Sequence, residues 1–226
     1  MRKELKARRV GGRTSTLIPI LIGLIVFLLI VVVVFIMRSS IFGDPTATEI
    51  ARDEVIAALS QNPGDPGLLM TLAEIDYDLG RKRDALDYAE QAADAAGETL
   101  TIHLRYAMLL MREGDLNAAR EQLDAEIELD PSNSDAYFLL GQIQREQGDF
   151  DDALGTLEQA LALAPVDGDV RLVYALTLRE AGREDEAIEA YKSVLMLLPD
   201  NEYAIEALAE LGVTYEATGT ATPHDN

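Results

Sequence analysis

Residues 134–167 read SDAYFLLGQIQREQGDFDDALGTLEQALALAPVD, and the pattern of small residues, glycine and proline in this segment recurs along the chain with a fixed period. Its central glycine, Gly148, has counterparts at Gly80, Gly114 and Gly182, each 34 residues from the next. Glycine is the residue that most readily takes positive φ, the conformation with which many helices end. The glycine column therefore predicts a helix end at the same point of four successive units.

Three further columns keep the same phase. A small residue stands seven residues before each glycine, an alanine stands five residues after it, and a proline stands seventeen residues after three of the four. The columns are Ala73, Ala107, Gly141 and Ala175; Ala85, Ala119, Ala153 and Ala187; and Pro131, Pro165 and Pro199. Small residues let two helices approach closely, and proline prevents a helix from continuing. Each unit is therefore predicted to contain two antiparallel helices of about a dozen residues with a tight turn between them.

Neither helix of such a unit can bury its apolar stripe alone, so successive units must stack on one another. The predicted fold class is all-α, with the helical repeats forming a solenoid.

The pattern resembles the tetratricopeptide repeat, a 34-residue unit with small residues near positions 8 and 20, glycine near 15 and proline near 32. On that register the four repeats are 66–99, 100–133, 134–167 and 168–201. The resemblance implies a right-handed α-solenoid. Two departures stand out. The frequent tryptophan at position 4 is replaced by Leu69, His103, Tyr137 and Arg171, and the first unit has Gly97 in place of the proline.

The phase of the repeats continues on both flanks. Residues 47–65 fit the second helix of a preceding unit, so we predict an N-terminal capping half-repeat there. Residues 202–212 fit one more first helix and are predicted as a C-terminal cap. Its solvent side is expected to carry Glu202, Glu206 and Glu210. Residues 213–226 are predicted to be a disordered tail.

An apolar run precedes the repeats. Residues 17–37 contain no charged side chain, and a helix of that length spans about 31 Å, which matches the hydrocarbon core of a bilayer. A cleaved signal peptide is the alternative, but its apolar core would be about 7 to 15 residues long and a small-x-small site would follow. We therefore expect a single transmembrane helix, preceded by a basic segment, 1–16, and followed by a linker, 38–46.

The charges are distributed unevenly along the chain. Residues 1–15 hold six basic residues and one acidic residue, whereas residues 38–226 hold thirteen basic and thirty-nine acidic residues, a net charge of −26. The positive-inside bias places the N-terminus in the cytoplasm and the repeats on the periplasmic or extracellular side of a bacterial cytoplasmic membrane. A body this acidic repels phosphate backbones, so nucleic acid is not expected as a partner.

Candidate chemistry is sparse. The chain has no cysteine, which excludes disulfides and thiolate sites. It also lacks a glycine-rich phosphate loop, a His-Glu-x-x-His motif and a nucleophile elbow. His103 stands at a packing position and is predicted to be partly buried with a local hydrogen bond, not a metal or heme ligand. We expect no catalytic residues, no metal, no cofactor and no small-molecule substrate, so the chain is predicted not to be an enzyme.

The first helix of each repeat offers a candidate binding face. Positions 2, 5, 9, 12 and 13 lie on one side of a helix of 3.6-residue period, and the family resemblance implies that they line a concave, peptide-binding groove. The predicted groove residues are Met70, Glu74, Tyr77, Leu104, Met108, Met111, Arg112, Phe138, Gln142, Arg145, Leu172, Leu176 and Arg179, with Asp78, Glu146 and Glu180 beside them. The apolar members are too many for an idle solvated face, and methionine suits a surface that adapts to varied ligands.

Three arginines recur near one point of this face: Arg112, Arg145 and Arg179. Such a row could bind the carboxylates of an extended chain or its C-terminus. The alternative is that each arginine pairs with a neighbouring glutamate of the protein itself. The lysine and asparagine residues of the family's chaperone-binding carboxylate clamp are absent, so binding of chaperone C-termini is not expected.

The predicted function is a membrane-tethered protein–protein interaction scaffold or chaperone-like module that binds peptide segments of membrane-proximal protein partners. The architecture resembles the membrane-bound tetratricopeptide subunits of c-type cytochrome maturation systems, which hold apocytochrome segments for heme ligation; assembly of envelope complexes is equally open. Two alternatives remain. The chain could be a structural accessory subunit of a large membrane complex, or an organellar import receptor whose acidic groove binds basic presequences.

Overall fold

The computed structural model describes residues 46–214. The predicted transmembrane helix 17–37, the basic segment before it, nearly all of the linker 38–46 and the tail from residue 215 onward lie outside these residues. Within the described part, no helix is both long enough and apolar enough to span a bilayer. The contacts divide the chain into two units, Met1–Ile50 and Ala51–Asn226, and the packing described below is that of the second unit.

Helices account for most of the described chain. They are α1 (Ala47–Leu59), α2 (Pro66–Asp78), α3 (Lys82–Ala95), α4 (Ile102–Glu113), α5 (Leu116–Leu129), α6 (Ser134–Gln147), α7 (Phe150–Leu163), α8 (Gly168–Glu180), α9 (Glu184–Leu197) and α10 (Glu202–Glu210). Helices α2 to α9 form four pairs that pack closely, one pair per predicted repeat, and each second helix also packs on the first helix of the next repeat. The prediction of an all-α repeat solenoid is confirmed.

The turn within each repeat has the backbone that the glycine column predicts. The φ angles are 77° at Gly80, 84° at Gly114, 85° at Gly148 and 74° at Gly182. At the third turn the Asp149 amide donates to the Gln144 carbonyl at 2.9 Å. This backward bond satisfies a carbonyl that the helix end would otherwise leave unpaired, as in a Schellman motif.

The column of small residues lies where the two helices of each repeat come closest. Ala73, Ala107 and Ala175 are inaccessible to solvent. At Gly141 a Cβ atom would lie only 2.7 Å from Leu157 Cγ. The helices of the third repeat therefore leave no room for even a methyl group at this position.

Four of the five first helices, counting α10, begin with the same kind of cap. The side chains of Asp65, Asn133, Asp167 and Asn201 each accept a hydrogen bond from an amide in the first turn of α2, α6, α8 and α10. Such caps satisfy amides that have no partner within the helix. Helix α4 is the exception, since the side chain of Thr101, the residue before it, makes no capping hydrogen bond.

A buried glutamate from another helix takes the place of that missing cap. Thr101, just before α4, has a φ of 72°, which is unfavourable for a β-branched residue. The Glu126 carboxylate of α5 accepts from the Thr101 amide at 2.9 Å and the Leu104 amide at 3.3 Å. It also accepts from Asn133 Nδ2 at 2.9 Å. Glu126 is inaccessible to solvent, so a tertiary contact replaces a local one at this junction.

Both predicted capping helices are present. Residues of α1 are at most half-buried, and the helix is attached through Arg52, whose guanidinium donates two hydrogen bonds to the buried carboxylate of Asp76. Helix α10 exposes all three predicted glutamates. Val213, the first residue of the predicted tail, is held by the fold: its amide donates to the Leu208 carbonyl at 2.8 Å and its side chain packs on the core of repeat four.

Candidate functional site

The first-helix face, formed by positions 2, 5, 9, 12 and 13 of α2, α4, α6 and α8, is less open than predicted. Met70 is 0% and Leu104 is 9% exposed, and each belongs to a buried apolar cluster. Tyr77 is buried as well. The prediction that these three side chains line an open groove is wrong, because successive first helices pack against each other there.

The rest of the face is graded in exposure. Phe138 and Leu172, at position 5 of the third and fourth repeats, are half-buried and contact the cores beside them. Met111 is also half-buried. Position 9 is more accessible. Glu74, Gln142 and Leu176 are half-buried there, and Met108 is 49% exposed. Met108 is therefore the large apolar side chain that this face presents most fully to solvent.

The three arginines are all paired with carboxylates of an adjacent repeat or cap. Arg112 reaches Asp78 at 3.2 Å, Arg145 reaches Glu180 at 2.8 Å, and Arg179 reaches Glu210 at 3.0 Å. Of the two predicted roles, pairing within the protein is the one found in the structure. The pairs are partly exposed, and ion pairs of this kind contribute about 0 to 1 kcal/mol each. They therefore join the repeats weakly.

A denser cluster joins the first two repeats. The Tyr77 hydroxyl donates to Glu113, the Lys82 ammonium lies 2.6 Å from the same carboxylate, and the Arg112 guanidinium lies 4.0 Å from the centre of the Tyr77 ring. The hydrogen bonds from Lys82 and Tyr77 lower the pKa of Glu113. The bond to Glu113, with burial, raises the pKa of Tyr77. The cluster is thus arranged to keep Glu113 charged and Tyr77 neutral.

Two charged contacts escaped the sequence argument. Arg105 donates two hydrogen bonds to Glu74, at 2.7 and 2.6 Å, which closes part of the face between repeats one and two. Asp76, which accepts from Arg52, is also 3.3 Å from Arg81. The sequence did carry a sign of the second contact. Asp76 is a charged residue at position 11 of its repeat, where repeats two and four have Leu110 and Leu178.

The second helices of successive repeats leave clefts between them. We call the first the repeat-three cleft; it has a volume of about 500 Å³ and lies over α6, between α5 and α7. Its lining includes Tyr137 and Gln144 on α6 and Gly155 on α7. The second, the repeat-four cleft, has a volume of about 510 Å³ and is lined by the equivalent positions one repeat later. The sequence argument looked for binding residues at positions 2, 5, 9, 12 and 13 of the first helices and so missed both clefts.

The partial burial predicted for His103 is found, and its hydrogen-bond partner comes from the next helix. His103 is half-buried, and its Nδ1 lies 2.8 Å from Gln122 Oε1. Over residues 46–214 the structure brings together no group of three histidine, aspartate or glutamate side chains suited to hold a metal ion.

A family comparison accounts for this architecture. The model of the tetratricopeptide repeat matches residues 70–134, 104–154 and 138–202, which together cover more than half of the chain. The chain belongs to the tetratricopeptide repeat family. Its fold is that of a protein-interaction scaffold, since tetratricopeptide repeat proteins act in protein–protein interaction and peptide binding.

Solved tetratricopeptide repeat structures share the fold. MamA from Desulfovibrio magneticus RS-1 is 17% identical with a TM-score of 0.61, over 74% of this chain and 92% of that one. A tetratricopeptide repeat protein from Parabacteroides merdae is 21% identical with a TM-score of 0.65, over 78% and 70%. YrrB, described as having an unusual peptide-binding site, is 18% identical with a TM-score of 0.59, over 73% and 87%. No curated protein matched the sequence significantly.

Proposed function

We propose that this tetratricopeptide repeat protein is a non-enzymatic, membrane-tethered scaffold that binds segments of a membrane-proximal protein on its first-helix face. The observation that carries the proposal is Met108, an adaptable apolar side chain left 49% exposed on a face whose other large apolar residues are at least partly buried. The description of YrrB as a peptide-binding relative supports the same reading.

The chemistry of the face favours an apolar contact flanked by weak charge contacts. Apolar side chains of a partner can cover Met108 and the half-buried Gln142 and Leu176, which stand at the same position of repeats three and four. Buried apolar anchors of this kind are the usual hot spots of interfaces. Arg145 and Arg179 already donate through Nη1 to Glu180 and Glu210, so a partner's carboxylate has to compete with these pairs for the same donors.

The tether is supported by the sequence of residues 17–37 and by the basic residues before it. The linker 38–46 can span at most about 30 Å. A partner held by the repeats would therefore be a membrane protein or a chain emerging at the membrane surface.

The first process to test is the maturation of c-type cytochromes, because the membrane-anchored tetratricopeptide subunits of cytochrome maturation systems have the same architecture. Deletion of the gene should then abolish heme-stained c-type cytochromes while their apoproteins remain detectable. Normal holocytochrome levels would direct attention to assembly of another envelope complex.

Met108→Glu is the sharpest test of the binding face. The change places a charge at the centre of the proposed contact and should weaken partner binding by about 2 kcal/mol, with the thermal midpoint nearly unchanged because the side chain is half exposed. Met196→Glu on α9, at a residue 77% exposed and outside this face, is the matched control. Capture would be scored by crosslinking in native membranes followed by mass spectrometry. Equal capture by both variants and the wild type would show that this face is idle.

Phe138→Ala and Leu172→Asp are poorer probes, since both side chains contact the cores. We expect both variants to melt earlier than the wild type, by an amount typical of half-buried apolar residues, about 1 to 3 kcal/mol.

Topology is tested separately. Protease added to intact spheroplasts should digest the chain after about residue 45 if the repeats lie outside the cytoplasmic membrane. Protection in spheroplasts combined with cleavage after lysis would place the repeats in the cytoplasm.

A further inference from the structure

The acidity of repeats two to four is concentrated on one kind of helix. The first helices α4, α6 and α8 carry five acidic and five basic residues, whereas the second helices α5, α7 and α9 carry eleven acidic and two basic residues. The first helices are thus neutral overall. With the buried Glu126 left out, the second helices carry ten acidic and two basic residues, so their surface has a net charge of −8 over the same three repeats.

The repeat-three cleft lies in this acidic surface and has an unusual residue in its lining. Gly155 is in the middle of α7, where a glycine costs a helix about 1 kcal/mol relative to alanine. The equivalent residues in the other repeats are Asp87, Glu121 and Glu189. Nothing lies within 4 Å of the point that a Cβ atom would occupy at Gly155. No packing contact explains this glycine, and the space beside it is free for a ligand group.

An unpaired buried group lines the same cleft. Gln144 stands at position 11, where repeats two and four have Leu110 and Leu178. It is 6% exposed, and its buried Oε1 has no hydrogen-bond partner among the described residues. A buried polar atom without a partner lowers stability. A hydrogen-bond donor entering the cleft would remove that cost.

We propose that the repeat-three cleft binds a lysine- or arginine-rich extended segment of the partner protein. This inference rests on the proposed scaffold function and names the partner's chemistry and a second surface for it. The cationic side chain enters beside Gly155 and Asp151; Asp151 and Asp152 outnumber Arg120, the one basic residue of the lining, so the border of the cleft has a net negative charge. Its N–H groups supply donors to the carboxamide of Gln144, and its alkyl stem lies against Tyr137. The surrounding charge draws a basic chain and speeds its association.

The repeat-four cleft extends the same surface by one repeat. Asp185 occupies the position equivalent to Asp151, and Tyr174 and Leu178 supply the apolar floor. Glu189 stands in place of the glycine and adds a negative charge to a lining that also contains Arg171. An extended basic segment can therefore continue from one cleft to the next.

The test is a fluorescence anisotropy titration of the purified full-length chain with a labelled peptide of alternating lysine and alanine. A peptide of alternating glutamate and alanine serves as the negative probe. The wild type should bind only the basic peptide, with an affinity that falls as salt rises. Gly155→Gln places a side chain in the free space beside position 155 without changing the charge and should weaken binding about tenfold. The same change should raise the thermal midpoint, because it replaces a mid-helix glycine. Loss of binding could then not be attributed to unfolding.

A pair of charge variants separates the cleft from general electrostatics. Asp151→Asn with Asp152→Asn should weaken the basic peptide about tenfold, whereas Glu121→Gln with Asp124→Asn, exposed on α5 and outside the cleft lining, should weaken it less than about twofold. Equal losses in the two pairs, or full binding by Gly155→Gln, would overturn the cleft as the site. These outcomes leave the scaffold function standing if native partners are still captured through Met108, so the two proposals fail separately.

Discussion

The junction between repeats one and two differs from the two junctions that follow it. At the later junctions a proline ends the second helix and an asparagine or aspartate two residues further on caps the next one, as with Pro131 and Asn133. At the first junction Gly97 replaces the proline, Thr99 stands at the cap position, and α4 starts at Ile102. Yet the 34-residue phase is not lost, because Glu126 supplies from within repeat two the acceptor that the junction lacks. A repeat can therefore lose its local signals and keep its register if one buried side chain takes over their hydrogen bonds.

We expect the largest loss of stability when the Glu126 carboxylate is removed. Glu126→Ala should lower the free energy of unfolding by about 2 to 4 kcal/mol, since it leaves the Thr101 and Leu104 amides and the Asn133 side chain without their acceptor. Glu128→Ala, exposed on the same helix, is the control and should change stability by no more than about 0.5 kcal/mol. Urea unfolding of the two variants measures the difference. A loss below about 1 kcal/mol for Glu126→Ala would mean that water replaces the carboxylate.

A regular turn should respond next most strongly. Gly148→Val should destabilise by about 1 kcal/mol or more, because a β-branched residue is strained at a φ of 85°. Thr101→Gly, which replaces a β-branched residue at a φ of 72°, should be neutral or stabilising. Hydrogen exchange should localise the damage of Gly148→Val to repeat three, because contacts in such arrays are between neighbours. Uniform loss of protection along the repeats would contradict that locality.

The caps give a third, smaller contrast. Asp167→Ala should cost about 1 kcal/mol, since Asp167 accepts from the Asp169 and Val170 amides at the start of α8. Thr99→Ala, at the same position of the irregular junction, should cost much less, because Thr99 caps no helix. Similar losses at the two sites would show that the irregular junction keeps a cap of its own in solution.

The smallest effect is expected at Tyr191, in the regular fourth repeat. Its hydroxyl is buried without a partner among the described residues, and burial raises its pKa to about 12. The folded state favours the neutral phenol, so its contribution to stability is complete below the ordinary pKa near 10 and is lost as the pH rises toward 12. Absorbance at 295 nm should show a tyrosine ionising at a pH of about 12, and Tyr191→Phe should remove that step. The same variant should be neutral or stabilising by up to about 1 kcal/mol.

Much of the fold could be predicted because the residues that determine it recur at fixed positions of each repeat. The glycine turns, the buried small residues and the two capping helices were all readable from spacing. Departures from a column were equally informative. Glu126 stands where other repeats have Ala92, Ala160 and Val194, and Gln144 stands in a column with two leucines. Such exceptions mark where the structure has a special contact, although they do not say with what.

The candidate site was harder to predict, for a physical reason. A helical period tells which residues share a face, but not how closely the next helix covers it. Met70 and Leu104 share a column with Phe138 and Leu172, yet only the first two are buried. The partners of Arg145 and Arg179 likewise lie 35 and 31 residues further along the chain. That separation depends on how the repeats stack, which local pattern does not fix.

The pairing of those arginines turns carboxylate recognition into an exchange reaction. A ligand's carboxylate that takes the Nη1 donor of Arg145 displaces Glu180, so the number of ion pairs is unchanged and little net affinity is gained. What does change is the link between repeats three and four, since the bond that joined them is now a bond to the ligand. An acidic ligand on this face would therefore gain little affinity and would weaken the contact between the two repeats. It would leave the affinity to apolar contacts and loosen the spacing of the repeats beside it.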